Sequence, residues 1–270
     1  MPELPEVETT VRALRQPLVG STITDVRSDW PRQIVTPDLP ELQARIYGQR
    51  IEAIDRRGKY LIFRLSGHET LIIHLKMSGH LAVVDKDAPA SKHVHATFSL
   101  ADGRELRFRD TRKFGRIYLV SDPTEIVGKL GPEPLSPEFT VDLLTRRIAG
   151  RKRVLKPLLL DQTVIAGIGN IYADEALFYA GLDPRRTADS LTPIEIARLH
   201  AAIQKVLKLG IAREGASIDQ YVKPDGSKGD MQNAVAIFRR TGEPCYQCQT
   251  PIVRIVLGGR STHFCPHCQQ

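Results

Sequence analysis

The chain begins MPELPEVETT. A proline directly behind the initiator methionine, followed by a glutamate, is a pairing that can do chemistry. Once Met1 is removed, as readily happens before a small residue, Pro2 presents a secondary amine at the chain terminus. A terminal amine has an ordinary pKa of roughly 8, far below that of lysine. A helix N-terminus would lower it further, because the dipole disfavours the ammonium form. Such an amine can attack a sugar C1′ and form an iminium at neutral pH, and Glu3 can serve as the acid or proton shuttle. With Met1 attached, the Pro2 nitrogen is a tertiary amide and cannot attack, so this chemistry requires processing. Proline is also a common second residue, and the stretch alone does not choose.

The second constellation lies at the other end. Cys245-x2-Cys248 and Cys265-x2-Cys268, sixteen residues apart, use every cysteine in the chain. Zinc takes four thiolates in a tetrahedron, and a two-residue spacer lets each pair grip one side of the ion. The intervening sequence can fold as a hairpin, Thr250–Ile255 and Arg260–Phe264, turning at Gly258–Gly259. His263 and His267 could compete as ligands, but the four-cysteine set is complete without them. A closed set leaves no open coordination position, so one structural Zn2+ is expected. Two disulfides are the rival reading, which a cytosolic chain disfavours.

Charge supplies the third signal. Lys plus Arg exceed Asp plus Glu by 38 to 31, and the excess is clustered. Residues 104–116 (RELRFRDTRKFGR) carry six basic and two acidic residues, and 145–156 (TRRIAGRKRVLK) six basic and none acidic. Each cluster could be a solvated basic face. Two of them beside a zinc module suit phosphate backbones and point to nucleic acid. An apolar fraction of 41% supports a folded core rather than a disordered chain. No apolar run approaches the ~18 residues of a membrane span. No basic segment followed by an apolar one marks a secretory signal, so the expected compartment is the cytoplasm.

These groups need elements to position them. Val7, Val11, Leu14 and Leu18 fall at helical spacing behind Pro5, with Glu6 and Glu8 at the end favoured by the dipole and Pro17 and Gly20 closing the segment. Pro2 should therefore lie just before an early helix. From about Ile23 to Val120 the pattern changes to short strands. Candidates are Ile51–Ile54, Tyr60–Leu65, Thr70–Leu75, Leu81–Val84, Thr97–Leu100, Glu105–Arg109 and Arg116–Val120, separated by glycine-containing turns. Many short strands argue for an antiparallel sandwich or barrel. The stretch 131–137 (GPEPLSP) reads as a stiff linker. Helices are expected from Ser136 or Pro137 to near Gly150, over Val154–Asp161, over Asn170–Gly181 with Asn170 as N-cap, and from the Thr192/Glu195 capping box to about Gly210. The polar segment 215–233 is expected to be mobile. No internal repeat is visible.

Taken together, PELPEVE at the start, the basic middle, Ile168-Gly-Asn-Ile-Tyr-Ala173 and the C-terminal four-cysteine hairpin resemble the formamidopyrimidine-DNA glycosylase family over essentially the whole chain. The resemblance implies an α+β multidomain protein. An N-terminal catalytic β-sandwich with a flanking helix (2–130) would be followed by a linker and leading helix (131–150). A helix-two-turns-helix domain (151–234) with a lesion-capping loop (215–233) and a zinc finger (235–270) would complete it. It implies a base-excision enzyme, acting as a monomer on double-stranded DNA with oxidised bases and nucleoid-associated through that DNA. Such an enzyme removes 8-oxoguanine opposite cytosine and ring-opened purines, then cuts the strand by β,δ-elimination. The Pro2 nitrogen would attack C1′, Glu3 would protonate the opening sugar ring, and Lys59 would sit at the sugar and phosphates beside the lesion. Lys156 matches a lysine associated with lesion processing, and Glu175 a residue near the lesion.

An enzyme acting on a base in a duplex must flip it out and fill the gap. Two glycine-containing turns, 74–79 and 110–115, carry Met77, Arg112 and Phe114, which the resemblance makes the inserting triad. Residues on such tips are more exposed than average, though they could equally tuck back into the core. Arg112 offers a donor fork to cytosine O2 and N3. The resemblance gives phosphate contacts to His74, His93, Asn170 and Arg260, and a helix N-terminus at Asn170 would suit a phosphate. His93 and His95 would share a strand face, so pattern alone cannot choose between them. The loop starts Arg213-Glu-Gly-Ala-Ser217, less glycine-rich than the family's pattern.

Two rivals remain. An endonuclease VIII-type glycosylase shares the Pro2/Glu3 chemistry but takes oxidised pyrimidines; Leu4, Phe114 and Lys156 argue for the purine branch. A non-catalytic zinc DNA-binding protein fits the charge and the cysteines, but leaves Pro2, Glu3 and Lys59 together unexplained. A purely structural module explains the zinc and not the clustered charge.

Overall fold

The computed structural model describes all 270 residues. The first helix, α1 (Leu4–Leu18), is amphipathic as its spacing requires, and Leu4, Val7, Val11, Leu14 and Leu18 are all buried. Val7, Val11, Leu14 and Leu18 join one apolar core with residues from two sheets. The four-stranded sheet has the order β1 (Ile23–Ser28), β7 (Val94–Leu100), β8 (Arg104–Asp110), β6 (Gly79–Asp85). The five-stranded sheet has the order β2 (Ile34–Thr36), β9 (Arg116–Val120), β5 (Thr70–His74), β4 (Tyr60–Leu65), β3 (Ile51–Arg57). All pairings are antiparallel except β2 with β9. Helix α1 packs against β3, β4 and β6, so the expected sandwich with a flanking helix is present.

All seven expected strands form, most of them longer by a few residues. Two further strands and two helices are present beyond those expected. β1 and β2 are short runs broken by polar residues, whose partners lie more than fifty residues away in sequence. Helix α2 (Leu39–Ile46) did carry a local signal: Asp38 caps it by accepting the Glu41 N–H at 3.0 Å, and Pro40 occupies its first turn.

Two compact units divide the chain. One comprises Met1–Lys129 with Glu214–Asp230, the other Leu130–Arg213 with Met231–Gln270. Most of the segment 215–233, expected with the C-terminal helices, thus groups with the first unit. Side-chain bonds explain it: Ala216 N–H donates to Glu6 Oε1 at 2.7 Å, Tyr221 O–H to the Glu6 carbonyl at 3.2 Å, and His80 Nε2 meets the Lys223 carbonyl at 2.9 Å. After a short helix α3 (Thr124–Val127), the expected linker 131–137 is built into the second unit. Gly131 N–H donates to the Gln162 carbonyl at 2.8 Å, and a side chain there would meet the Val164 backbone at 2.6 Å.

The second unit holds α4 (Val141–Ile148), α5 (Leu155–Leu159), α6 (Asn170–Ala180) and α7 (Pro193–Ala212). Helix α4 starts later than expected because Thr140, not Ser136, supplies the cap, accepting the Leu143 N–H at 3.2 Å. The Thr192/Glu195 capping box forms at the start of α7. That helix passes through Gly210 and ends at Ala212. Gly210 is needed for packing, since a Cβ there would lie 2.5 Å from the Tyr172 ring on α6. The hairpin β10 (Val253–Leu257) and β11 (Arg260–Phe264) turns at Gly258–Gly259, both with positive φ. No helix is long and apolar enough to cross a membrane.

Leu14 is 1% exposed at the centre of the first core. Leu14→Ala should lower unfolding stability by about 2–5 kcal/mol, and Leu14→Met by less than about 1.5 kcal/mol, measured by denaturant titration of the first unit's transition.

Candidate active site and nucleic-acid contacts

Pro2 and Glu3 immediately precede α1, and both are buried. Glu3 is the N-cap and is 2% exposed. Its backbone N–H donates to Glu6 Oε2 at 2.8 Å, so Glu6, itself 1% exposed, fixes the chain just behind Pro2. Contacts along the helix fix its direction. Arg15 Nε donates to the Ile54 carbonyl at 2.8 Å, and about two turns earlier Glu8 Oε2 accepts from Arg56 Nε at 3.0 Å. The N-terminus of α1 therefore runs toward the two-residue turn Gly58–Lys59 that joins β3 to β4. Lys59 is 5% exposed. Burial alone would raise the Glu8 carboxyl, but Arg12 and Arg56 outweigh it and hold the group below its usual range.

His74 ends β5, opposite Tyr60 on β4 and Arg116 on β9. Its ring lies edge-on to Tyr60 at 4.5 Å. The Lys76 N–H donates to its Nδ1 at 2.9 Å, which leaves the proton on Nε2. Burial, and then the charges of Lys76 and Lys59, push its pKa down from 6.5 to about 3. His74 is thus a neutral donor at physiological pH rather than a cation.

The two tips are exposed to different degrees. Met77 is half-buried, Arg112 is exposed, and Phe114 is 46% exposed with the Arg112 guanidinium 4.9 Å from its ring centre. The two histidines differ in burial. His95 is 4% exposed, with Nδ1 held by Asp29 at 2.8 Å, whereas His93 lies just before β7 and is accessible. The basic cluster 104–116 is partly spent internally: Arg104 pairs with Asp102, and Arg107 with Glu105 at 2.7 Å. In the second cluster Arg153 pairs with Asp161 at 2.6 Å.

In the second unit three expectations change. Asn170 is the first residue of α6 and not its cap, which is Gly169; the Asn170 Oδ1 is buried with no hydrogen-bond partner. Glu175 is fully buried. Its carboxylate accepts the backbone N–H groups of Ala236, Ile237 and Phe238 at 2.8, 2.9 and 3.0 Å, so it braces the chain entering the cysteine module. Burial raises its pKa despite those bonds. Lys156 is also fully buried. Its Nζ lies 2.6 Å from Asp174 Oδ1 and donates to the Ser261 carbonyl at 2.6 Å. Asp174 Oδ2 in turn accepts the His263 N–H at 3.0 Å. A desolvated ammonium needs such partners, and here they tie α5 and α6 to β11. Glu175 and Lys156 are thus both buried and bonded within the protein. Arg260, next to Ser261, is exposed.

The four cysteine sulfurs lie within 4.8 Å of one another. Cys245 and Cys268 are 3.9 Å apart, and Cys248 and Cys265 3.4 Å. A tetrahedron with Zn–S bonds of about 2.3 Å requires sulfur separations of about 3.8 Å, so the set fits one zinc ion. The site packs against Phe178, Ile237 and Ile252.

The N-terminal domain model of formamidopyrimidine-DNA glycosylase matches residues 1–117, its H2TH domain model residues 130–222, and a zinc finger found in FPG and IleRS residues 242–270. The chain belongs to the formamidopyrimidine-DNA glycosylase family. It is 50% identical to the formamidopyrimidine-DNA glycosylase of Herpetosiphon aurantiacus over the full length of both chains. It is 49% identical to that of Symbiobacterium thermophilum, covering all of this chain and 89% of the relative. Among solved structures, a Lactococcus lactis FPG mutant in complex with Fapy-dG-containing DNA superposes with a TM-score of 0.93 at 39% identity, covering both chains completely. MutM from Thermus thermophilus gives 0.90 at 43%, covering 99% of this chain and 98% of that one. This glycosylase is a DNA repair enzyme for oxidised purines, and AP lyase activity is part of the family.

The sequence pattern gave Glu6 only a helix-dipole role and not its bonds to Glu3 and Ala216, although the Glu3-x-x-Glu6 spacing of a capping box signalled the first of them. It also missed the Lys156–Asp174–His263 network, which no local pattern announces.

Two outcomes follow for this family member. Because the unfolded chain protonates His74 first, stability falls as pH drops from about 6.5 toward about 3. The contribution should reach about 2 kcal/mol at pH 5, and His74→Gln should flatten that part of the urea-denaturation profile. Native mass spectrometry should count one zinc per chain, and Cys265→Ser should lose it together with DNA affinity.

Proposed function

We propose that the chain works as a monomeric cytoplasmic glycosylase/lyase that meets the nucleoid through DNA, with Pro2 as nucleophile after removal of Met1. The Pro2 nitrogen attacks C1′ of the damaged nucleotide, the C1′–base bond breaks, and the base leaves with the proton that the Pro2 nitrogen gives up. Glu3 gives its proton to the sugar ring oxygen, the C1′–O bond opens, and an iminium joins Pro2 to C1′. Loss of the C2′ proton then expels the 3′ phosphate, and a second elimination expels the 5′ phosphate. Lys59 binds the sugar and phosphate flanking the lesion. The observation that carries this reading is the buried, Glu6-fixed start of α1, which directs Pro2 and Glu3 toward the Gly58–Lys59 turn.

Substrates are 8-oxoguanine opposite cytosine and formamidopyrimidines in duplex DNA. Met77, Arg112 and Phe114 fill the vacated stack, with Arg112 bonding the orphaned cytosine. The exposure of Arg112 and Phe114, one stacked on the other, supports this assignment. His74 through Nε2–H, His93, Asn170 and Arg260 bind phosphates. Residues 215–233 cap the extruded base.

Borohydride trapping on a duplex with one 8-oxoguanine opposite cytosine tests this. The adduct should map to a peptide beginning at Pro2, and Glu3→Gln should lose base excision while keeping DNA binding. Trapping only on an oxidised pyrimidine would move the chain to the endonuclease VIII branch. An adduct on any lysine would remove Pro2 from its role.

A further inference from the structure

The strands that carry the proposed inserting residues converge on one carboxylate that has no place in the chemistry above. Asp110, at the end of β8, is completely buried. Its Oδ2 accepts the Gly115 N–H at 2.7 Å, and its Oδ1 accepts the Arg112 N–H at 3.3 Å. Its carbonyl accepts the Lys113 N–H at 3.3 Å, where Lys113 holds a positive φ of 58°. The whole 110–115 tip is therefore folded around its own first side chain. Gly115 is required by the same closeness, since a Cβ there would lie 2.5 Å from the Phe108 ring and 3.0 Å from Asp110 Oδ2.

The second tip is tied to the same group. Ser78, directly after Met77 and 6% exposed, donates its hydroxyl to Asp110 Oδ1 at 2.5 Å. The Ser78 Oγ also accepts the Arg112 N–H, at 3.1 Å. Beside it, Gly79 and Asp110 are ladder partners at the end of β6 and β8. A third segment joins here, because the Asp110 N–H donates to the His93 carbonyl at 2.8 Å. A buried carboxylate is tolerated only when its lone pairs are filled. Removing it would leave several donors from both tips unpaired.

We propose that Asp110 and Ser78 are positioning residues for the duplex-dependent step, a buried clasp that locks Met77 in register with Arg112 and Phe114. The proposal rests on the assignment of those three residues as the inserting set. The clasp touches neither the sugar nor the base, and acts by holding two hairpin ends at a fixed separation. Misplacement by about 1 Å at such a site costs on the order of 100-fold in rate. The lyase step on a single-stranded abasic site has no stack to fill and should not need the clasp.

The test compares Ser78→Ala, Asp110→Asn and Arg112→Ala in the full-length, zinc-loaded enzyme. Ser78→Ala should slow excision of 8-oxoguanine from duplex DNA about 10- to 100-fold, and Asp110→Asn at least as much. Both should narrow the preference for cytosine over adenine opposite the lesion. Borohydride trapping on a single-stranded abasic oligonucleotide should stay within about twofold of wild type, as should the thermal midpoint of Ser78→Ala within experimental error. Equal losses on duplex and single strand would make the pair merely structural and overturn the proposal. Wild-type excision and opposing-base preference in Ser78→Ala, with both lost in Arg112→Ala, would also overturn it. If Arg112→Ala itself keeps both, the inserting-set assignment fails, and the proposal falls with it for a distinguishable reason.

Discussion

Burial of the first helix is the constraint on which the rest of this glycosylase depends. An N-terminal nucleophile has no side-chain stem, so its position is only as good as the backbone behind it. Chain ends ordinarily fray. Here four apolar residues of α1, Val7, Val11, Leu14 and Leu18, lie in the core shared with the sheets, and the helix cannot shift without opening that core. Arg15 and Glu8 set its direction against β3. Glu6 then fixes the residue next to Pro2 and, through its other oxygen, the backbone of Ala216. One carboxylate thus links the start of the chain to the segment that groups with it from two hundred residues away.

Buried carboxylates recur in this role. Glu175 collects three successive backbone N–H groups ahead of the cysteine module, and Asp174 joins Lys156 to His263 on the hairpin. Each satisfies donors that lie in a dry interior. Lys156, matched by resemblance to a lysine associated with lesion processing, and Glu175, matched to a residue near the lesion, both act as supports: one holds the hairpin that carries Arg260, the other the chain that enters it. The same economy limits the basic clusters. Arg104, Arg107 and Arg153 are committed to acidic neighbours, so the charge that DNA meets is smaller and more localised than a count along the sequence suggests.

Neutral His74 shows how the environment changes the meaning of a residue. A histidine beside two lysines looks like part of a cationic patch. Burial and those same lysines keep it uncharged, and the Lys76 N–H selects the tautomer. It can then donate one directional hydrogen bond from Nε2 without adding repulsion to Lys59. His95 shows the reverse case, where a residue two positions away is withdrawn into the sheet and held by Asp29.

The sequence by itself determined the elements whose signals are local. Val7, Val11, Leu14 and Leu18 announced α1 through their spacing; alternation and glycine turns marked seven strands; Thr192 and Glu195 marked α7; and the cysteine spacing specified a tetrahedral thiolate set. Local signals sufficed because helix periodicity, turn conformation and metal geometry are set within a few residues. Only the tertiary structure decided what long-range contacts decide. It separated His93 from His95 and turned Asn170 from cap into first helical residue. It sent Lys156 and Glu175 inside, moved 214–230 to the first unit, and brought Ser78 to Asp110. In each case the deciding quantity is burial or a hydrogen bond to a residue far along the chain, and a side chain's charge, exposure and reach are not defined until that partner arrives.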